Sequence, residues 1–116
     1  MGIKIIKNPV NLQEIIKIAN EEFGDFVKAV VDVEKEIMAV GGELHADEEI
    51  FLSENENSKR EHVWGINIYP QKPENEWIEF DSMINLKPHF SNRSRDVENQ
   101  EIREKIIGIV QKLIIK

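Results

Sequence analysis

With 116 residues, of which 41% are apolar and 32% charged, the chain is long enough for one hydrophobic core and too short for two, so we expect a single domain over residues 1–116. The formal net charge of −7 opposes binding to nucleic acid or to an anionic membrane surface, and it favours a basic partner or a cation. Because the sequence contains no cysteine, disulfides, thiolate catalysis and cysteine-bound metal sites are excluded.

The first ten residues, MGIKIIKNPV, interleave lysine with isoleucine and contain no apolar run as long as that of a signal peptide. No other window in the chain approaches the apolar length that crosses a bilayer. We therefore predict a cytoplasmic protein without a membrane partner.

A short strand and a helix are predicted at the start of the chain. Residues 3–6 form an apolar piece ended by an Asn-Pro pair, which is typical of an edge strand. Asn11 suits the N-cap of a helix, and apolar residues then follow at helical spacing up to Phe23. Gly24 suits the position just after that helix.

Alternation of valine with other residues predicts a hairpin that begins at residue 26. If the chain turns tightly at Glu34-Lys35, Val31 lies opposite Met38 and Ala29 lies opposite Val40, which keeps one face apolar. The turn lacks the usual Gly or Asn. A helix over residues 26–40 is the alternative.

The stretch GGELHADEE is predicted to continue the second strand of this hairpin. The glycine pair bends or bulges the strand, after which Leu44 and Ala46 point inward and Glu43, His45 and Asp47 point outward. Residues 48–52 fit a short helix or a strand end, and residues 53–59 are predicted to be a solvated loop.

Two more strands and a second helix complete the predicted fold. Residues 62–69 and 77–86 alternate and are joined by a longer loop, while an N-cap near Asn99 opens a helical stripe of apolar residues. The residues of these two strands expected to face the core are Trp64, Ile66, Ile68, Ile78, Phe80, Ile84 and Leu86. The predicted class is α+β, with an antiparallel sheet of about four to five strands and an N-terminal and a C-terminal helix packed on one face.

Polar side chains gather on the outward face of this predicted sheet. Five carboxylates, one imidazole and one amide share that side, namely Asp32, Glu43, His45, Asp47, Asn67, Glu79 and Asp81. Because like charges on neighbouring strands destabilise a sheet, the face requires separated acids, arginines such as Arg93 and Arg95 folded over it, or a bound cation.

The polar face has two interpretations, a metal or catalytic site and a solvated surface. Carboxylates with one histidine suit a divalent metal such as manganese, iron(II), zinc or magnesium, and the candidate ligands are His45, Asp47, Glu79 and Asp81. His45 and Asp47 are also the candidate catalytic residues, with Glu43 or Asp47 orienting the imidazole as a general base. The second interpretation is a solvated face with surface ion pairs, which is typical of charged runs.

The outward face also carries apolar and aromatic side chains, at Val63, Tyr69, Trp77 and Met83. Aromatic groups beside acids form a shallow groove for a ligand or a partner protein. The candidate residues of such a face are Asp32, Glu43, Asn67, Trp77 and Arg93. The alternative is a face covered by the C-terminal helix or by a second subunit of a homodimer.

Two other kinds of site receive no support from the sequence. The serines occupy no nucleophile-elbow pattern, so nucleophilic catalysis is not indicated. Gly41-Gly42 is not expected to precede a helix that could cradle a phosphate, so nucleotide binding is not indicated either.

Five stretches of the sequence carry a resemblance, and these are VVDVEKEIMAV, GGELHADEE, WGINIYP, IEFDSMINLKP and NRSR. Over nearly the whole chain, from Ile3 to the final helix, it resembles a small prokaryotic family known only as a domain of unknown function. The resemblance implies that GGELHADEE belongs to the family's pattern, and it implies no activity, cofactor or partner. The positions that fit the pattern are Asp32, Gly41, Gly42, Glu43, His45, Asp47, Glu49, Trp64, Gly65, Asn67, Glu79, Ser82, Asn85, Pro88, Asn92, Arg93 and Ser94.

From the sequence we predict a small binding or protein-interaction module, acting alone or as a homodimer. The alternative is a small metal-dependent enzyme that uses the acidic and histidine cluster on the sheet face, with a divalent metal as its cofactor.

Overall fold

The computed structural model describes residues 2–116. Its α-helices are α1 (Leu12–Glu21), α2 (His45–Glu56) and α3 (Gln100–Leu113). Its strands are β1 (Lys4–Ile6), β2 (Val10–Asn11), β3 (Val27–Asp32), β4 (Ile37–Val40), β5 (Val63–Ile68), β6 (Ile78–Glu79) and β7 (Ile114–Ile115). Within residues 2–116, no helix is both long enough and apolar enough to span a membrane.

Five of the strands form one sheet in the order β1-β4-β3-β5-β6, and every neighbouring pair is antiparallel. The remaining strands, β2 and β7, form a small parallel pair. The predicted α+β class with an antiparallel sheet of five strands is confirmed.

Asparagine side chains cap the N-termini of the first and last helices, as predicted. Asn11 Oδ1 accepts a hydrogen bond from the N–H of Gln13 at 2.8 Å, and Asn99 Oδ1 accepts one from Ile102 at 3.0 Å. Each bond satisfies one of the N–H groups that the first helical turn leaves without a partner.

The β3–β4 hairpin has the predicted register, with Ala29 opposite Val40 and Val31 opposite Met38. The alternative of a helix over residues 26–40 is therefore wrong. The turn has no glycine. Instead, Asp32 Oδ1 accepts hydrogen bonds from the N–H groups of Glu34 and Lys35, two and three residues later, at 2.9 and 3.0 Å. An aspartate side chain thus holds this turn closed.

One face of the sheet packs against α1 and α3. Its buried cluster combines alternate residues of β3 and β5 with apolar residues of both helices, among them Ala29, Val31, Ile66, Ile15 and Ile106. Full burial of each large aliphatic side chain contributes about 1.5–3 kcal/mol before the entropic cost of folding. This cluster is the main core.

The opposite face of the sheet is covered by α2, which includes the short helix that was one alternative for residues 48–52 but is longer than predicted. Leu52 is fully buried there in a second cluster with Val30 and Val63. The prediction that GGELHADEE continues a strand is wrong, because α2 begins at His45. The loop predicted over residues 53–59 starts only after Glu56.

The second predicted hairpin is shorter than its alternating pattern suggests, since β6 contains only two residues. The following chain forms a 3₁₀ turn at Met83–Asn85, and Ile84 packs in the cluster on the α2 side instead of the main core. The Asn85 side chain bonds both the N–H and the carbonyl of Gly65, at 2.8 and 2.9 Å. At Gly65, the side-chain amide of Asn85 therefore makes the two hydrogen bonds that the backbone of a neighbouring strand would otherwise make with β5.

Candidate functional site

The polar face predicted from strand alternation exists in part. Asp32, Asn67 and Glu79 lie on the α2 side of neighbouring strands, and Asn67 Nδ2 donates to Glu79 Oε1 at 2.8 Å. Asp32 is fully buried, and its Oδ2 accepts the hydroxyl of Ser58 at 2.6 Å. Asp32 thus connects β3 to the chain after α2, while Asn67 Oδ1 is buried and has no partner among the described residues.

Residues 43–47 divide between two openings on the surface. Glu43 and Asp47 line a pocket of about 300 Å³, which we call the acidic pocket. Its full lining is Ile3, Glu22, Gly41, Gly42, Glu43 and Asp47. The second opening, which we call the His45 cleft, has a volume of about 180 Å³ and is lined by Lys28, Leu44, His45, Ala46, Ser82, Met83, Ile84 and Arg95. His45 and Asp47 therefore face different openings, and the structure does not assemble them as a catalytic pair.

The predicted metal ligands are likewise not brought together. Across residues 2–116, no group of three or more histidine, aspartate or glutamate side chains is placed to hold a metal ion. Of the four candidates, Glu79 bonds Asn67, Asp81 pairs with Arg95 at 2.6 Å, and Asp47 lies at the acidic pocket.

His45, the first residue of α2, is 9% exposed, and its side chain reaches β5. Its Nε2 is 2.8 Å from the carbonyl oxygen of Ile66, and because a carbonyl only accepts, Nε2 carries the hydrogen. Burial lowers the pKa of His45 below its usual value, and the charge of Lys28 lowers this pKa further. The imidazole is therefore neutral near pH 7, and its Nδ1 is an acceptor that bonds no described residue.

Gly65 provides the space for the two buried polar side chains of the cleft. A methyl group at this glycine would overlap Ser82 Oγ at 2.5 Å and would lie in tight contact with His45 Cδ2 at 3.1 Å. The absence of a side chain at Gly65 lets His45 and Ser82 both approach β5.

Ser82 is 1% exposed and holds the other wall of the cleft. Its Oγ accepts a hydrogen bond from the N–H of Ile84 at 3.3 Å, and its own N–H donates to the Arg95 carbonyl at 3.0 Å. The hydroxyl hydrogen of Ser82 donates to none of the described residues. Ser82 thus retains an unused donor at the cavity.

Two basic side chains reach the His45 cleft, and no acidic residue lines it. Arg95 donates from Nε to Asp81 Oδ1 at 2.6 Å, which orients the guanidinium and leaves both Nη groups without a partner among residues 2–116. Lys28 lies 5.2 Å from the ring centroid of Phe23 and forms no ion pair within the described chain.

The N-terminus of α2 opens into the same cleft. Leu44 is the N-cap residue and supplies no side-chain hydrogen bond, so the N–H groups of His45 and Ala46 have no acceptor in the described part of the chain. The prediction that no helix follows Gly41-Gly42 is therefore wrong. A helix of 12 residues starts three positions after the glycine pair and directs its positive end to the cleft.

A buried carboxyl lies beside the acidic pocket. Glu48 is fully buried, its Oε2 accepts the N–H of Gly42 at 2.9 Å, and its Oε1 has no partner among the described residues. Burial raises the pKa of Glu48 to about 9, so this carboxyl is protonated at neutral pH. It adds no charge to the pocket.

Two residues of the predicted ligand face lie elsewhere. Trp77 is buried in the main core, and its Nε1 donates to the Lys72 carbonyl at 2.9 Å, so its predicted outward position is wrong. Arg93 is exposed in the loop before α3, where its backbone N–H donates to Glu98 at 3.1 Å. Arg95, not Arg93, is the arginine that reaches the cleft.

Lys28 and Ser82 were not among the predicted site residues. A signal for Lys28 was present, because it alternates with Val30 and Asp32 on the α2 side of β3. For Ser82 the only signal was its place in the resemblance, since a 3₁₀ turn after a two-residue strand has no strand alternation.

The fold and the cleft together define a small α+β protein in which a helix N-terminus, a buried histidine and a buried serine meet at the surface. The chain belongs to the family described as protein of unknown function DUF5674, whose model matches residues 4–113. No curated protein and no solved structure matches the chain. The family description states no activity, and function is therefore inferred from the site.

Proposed function

We propose that the protein is a binding module that holds a small ligand in the His45 cleft. The observation that carries this proposal is the presence of two buried polar side chains, His45 and Ser82, with unused hydrogen-bonding capacity at one cavity. Each of them already makes one hydrogen bond within the protein, and a ligand in the cleft can use the bonding capacity that remains.

The shape and lining of the cleft support the proposal. Leu44 and Met83, which are 55% and 61% exposed, stand among its lining residues and offer apolar contact. Ligand sites commonly combine apolar walls with a few convergent polar groups. The polar groups are also held in place, because Asn85 Nδ2 and the Ser82 N–H both bond the Arg95 carbonyl.

The alternative of a metal-dependent enzyme receives no support from residues 2–116, since its proposed ligands face different surroundings. The proposal of a binding module retains the cytoplasmic location expected from the sequence. With a net charge of −7 it also retains the expectation that nucleic acid is not the partner.

Amide chemical shifts in ¹⁵N NMR spectra test the proposal directly. We expect at least one of five small polar probes, lactate, lactamide, inorganic phosphate, glycerol and ethanolamine, to shift the amides of His45, Ala46 and Gly65. Shifts confined to Gly41 and Gly42 would place binding at the acidic pocket instead. No shift with any probe would contradict the proposal.

A matched pair of variants locates the binding. Ala46→Leu fills the cleft from the exposed start of α2, and we expect it to abolish the shifts. Ser53→Leu places the same side chain at another exposed position of α2, outside the cleft, and should leave the shifts unchanged. Equal effects of both substitutions would mean that the cleft is not the binding site.

A further inference from the structure

We propose that the group bound in the His45 cleft is an anion, either a carboxylate or a phosphate. This inference rests on the proposed function, because it specifies the chemistry of the ligand in the same cleft.

The charge of the cleft is opposite to that of the whole protein. Acidic residues outnumber basic ones by 22 to 15 in the chain, yet the lining of the cleft contains Lys28 and Arg95 and no acid. Asp81 forms an ion pair with Arg95 Nε and offsets much of its charge, so the unpaired positive charge of the lining is that of Lys28, while Arg95 offers its free Nη donors. A basic cleft in an acidic protein attracts an anion and repels a cation.

The unused hydrogen-bonding groups of the cleft are mainly donors. They include the N–H groups of His45 and Ala46 at the start of α2, the hydroxyl of Ser82 and the Nη groups of Arg95. Backbone N–H groups at a helix N-terminus favour anions through their partial positive charge, and charged donors strengthen each bond.

The buried serine distinguishes this cleft from an ordinary helix start. Ser82 lies on a different segment from α2, is 1% exposed and lines the cavity with a hydroxyl that donates to no described residue. Donors from the helix, from the 3₁₀ turn and from β3 therefore meet at one place, which the helix alone does not provide.

Lactate and inorganic phosphate are the two anionic probes. The carboxylate of lactate can accept from the N–H groups of α2, while its hydroxyl can donate to the neutral His45 Nδ1. Lactamide has nearly the same shape without the charge, so the comparison isolates the anionic group. The relative affinities of lactate and phosphate distinguish a carboxylate ligand from a phosphate ligand.

Dissociation constants from NMR titration at low salt test the inference. We expect lactate or phosphate to bind about tenfold more tightly than lactamide, with the tighter anion weakened at high salt. Lys28→Gln and Arg95→Gln should each weaken the anion about tenfold, and should weaken lactamide by a smaller factor because lactamide carries no charge. Lys59→Gln removes one positive charge from an exposed site outside the cleft and should have no such effect.

Failure of the inference is distinguishable from failure of the proposed function. If lactamide or ethanolamine shifts the His45 and Ala46 amides as strongly as lactate and phosphate do, the cleft binds ligands but does not select anions. If lactate and phosphate shift no cleft residue, the inference is overturned. If in addition neither lactamide, glycerol nor ethanolamine shifts a cleft residue, the proposed function is overturned as well.

Discussion

The acidic pocket and the His45 cleft share the start of α2 but differ in how their polar groups are satisfied. Glu43 and Asp47 of the acidic pocket are exposed to solvent. His45 and Ser82 of the cleft are buried, and each makes one hydrogen bond to the protein that fixes its position beside β5. The number of charges therefore identifies a site less well than the burial of a few polar groups.

Glu48 makes the same distinction within the acidic pocket. It is a carboxyl by composition, but burial keeps it protonated and its Oε2 bonds Gly42. Three carboxylates line the acidic pocket. Because Glu48 beside them is protonated, this region of the folded protein carries one negative charge fewer than its four acidic residues suggest.

The largest predicted effect is that of a side chain at the glycine of the cleft. Gly65→Ala should lower the free energy of unfolding by about 3 kcal/mol, because its methyl group would overlap Ser82 Oγ and Cβ at 2.5 and 2.6 Å. Urea denaturation measures the change. Gly108→Ala is the control, since no atom lies within 4 Å of its added methyl group and the helix gains about 0.5–1 kcal/mol. Equal stability of Gly65→Ala and the wild type would show that the cleft is loosely packed.

The second prediction concerns the pH dependence of stability beside the acidic pocket. The folded protein keeps the Glu48 proton up to a pKa of about 9, whereas the unfolded chain releases it near 4.5. The free energy of unfolding therefore falls as pH rises between these values. From about pH 5 to about pH 7.5 the wild type should lose about 2–3 kcal/mol relative to Glu48→Gln, whose side chain does not titrate.

Chemical denaturation of both proteins across this range measures the difference. The contribution of His45 is common to both proteins and cancels. The range ends below the pKa of Lys87, which burial lowers to about 8. Parallel curves for the two proteins would mean that Glu48 is ionised in the fold.

The sequence predicted those elements whose buried residues are apolar. The β3–β4 register and the caps at Asn11 and Asn99 follow from alternation and from asparagine chemistry. The sequence offered only a short helix over residues 48–52 as one alternative, and it missed the full extent of α2 because two of the buried residues of this helix, His45 and Glu48, are polar. Apolar periodicity cannot detect a helix whose buried positions are a histidine, a glutamate and a leucine.

The site was predicted in part for the same reason. His45 and Arg95 were recognised as polar groups near one face, but the strand assumed for GGELHADEE placed Asp47 beside His45. In a helix, residues two apart point to different sides, so Asp47 turns to the acidic pocket. The role of Ser82 depends on Gly65 and on a 3₁₀ turn, which only the folded chain brings together.

The third prediction compares one polar residue from each opening. Ser82→Ala should cost about 1 kcal/mol, because it removes the oxygen that accepts the N–H of Ile84, and it should also weaken lactate binding. Glu43→Ala, at an exposed position, should change stability by less than about 0.5 kcal/mol and leave lactate binding intact. Thermal melting and NMR titration measure both quantities. A larger loss of binding in Glu43→Ala would reverse the comparison of the two openings.

The smallest predicted effect is at Asp47, in the first turn of α2. Its negative charge interacts favourably with the helix N-terminus, so Asp47→Asn should lower the free energy of unfolding by about 0.5 kcal/mol. High salt should reduce this difference. A loss of several kcal/mol on urea denaturation would show that the acidic pocket has a structural role beyond a solvated surface.

Anomalous diffraction from crystals soaked in selenate tests the central claim most directly, because selenate is a tetrahedral anion that the map locates without ambiguity. The His45 cleft should contain a selenate peak within hydrogen-bonding distance of the Ala46 N–H and the Arg95 guanidinium, with none in the acidic pocket. Selenate bound at other basic side chains while an accessible His45 cleft stays empty, together with no lactate shift at the cleft amides, would contradict the assignment.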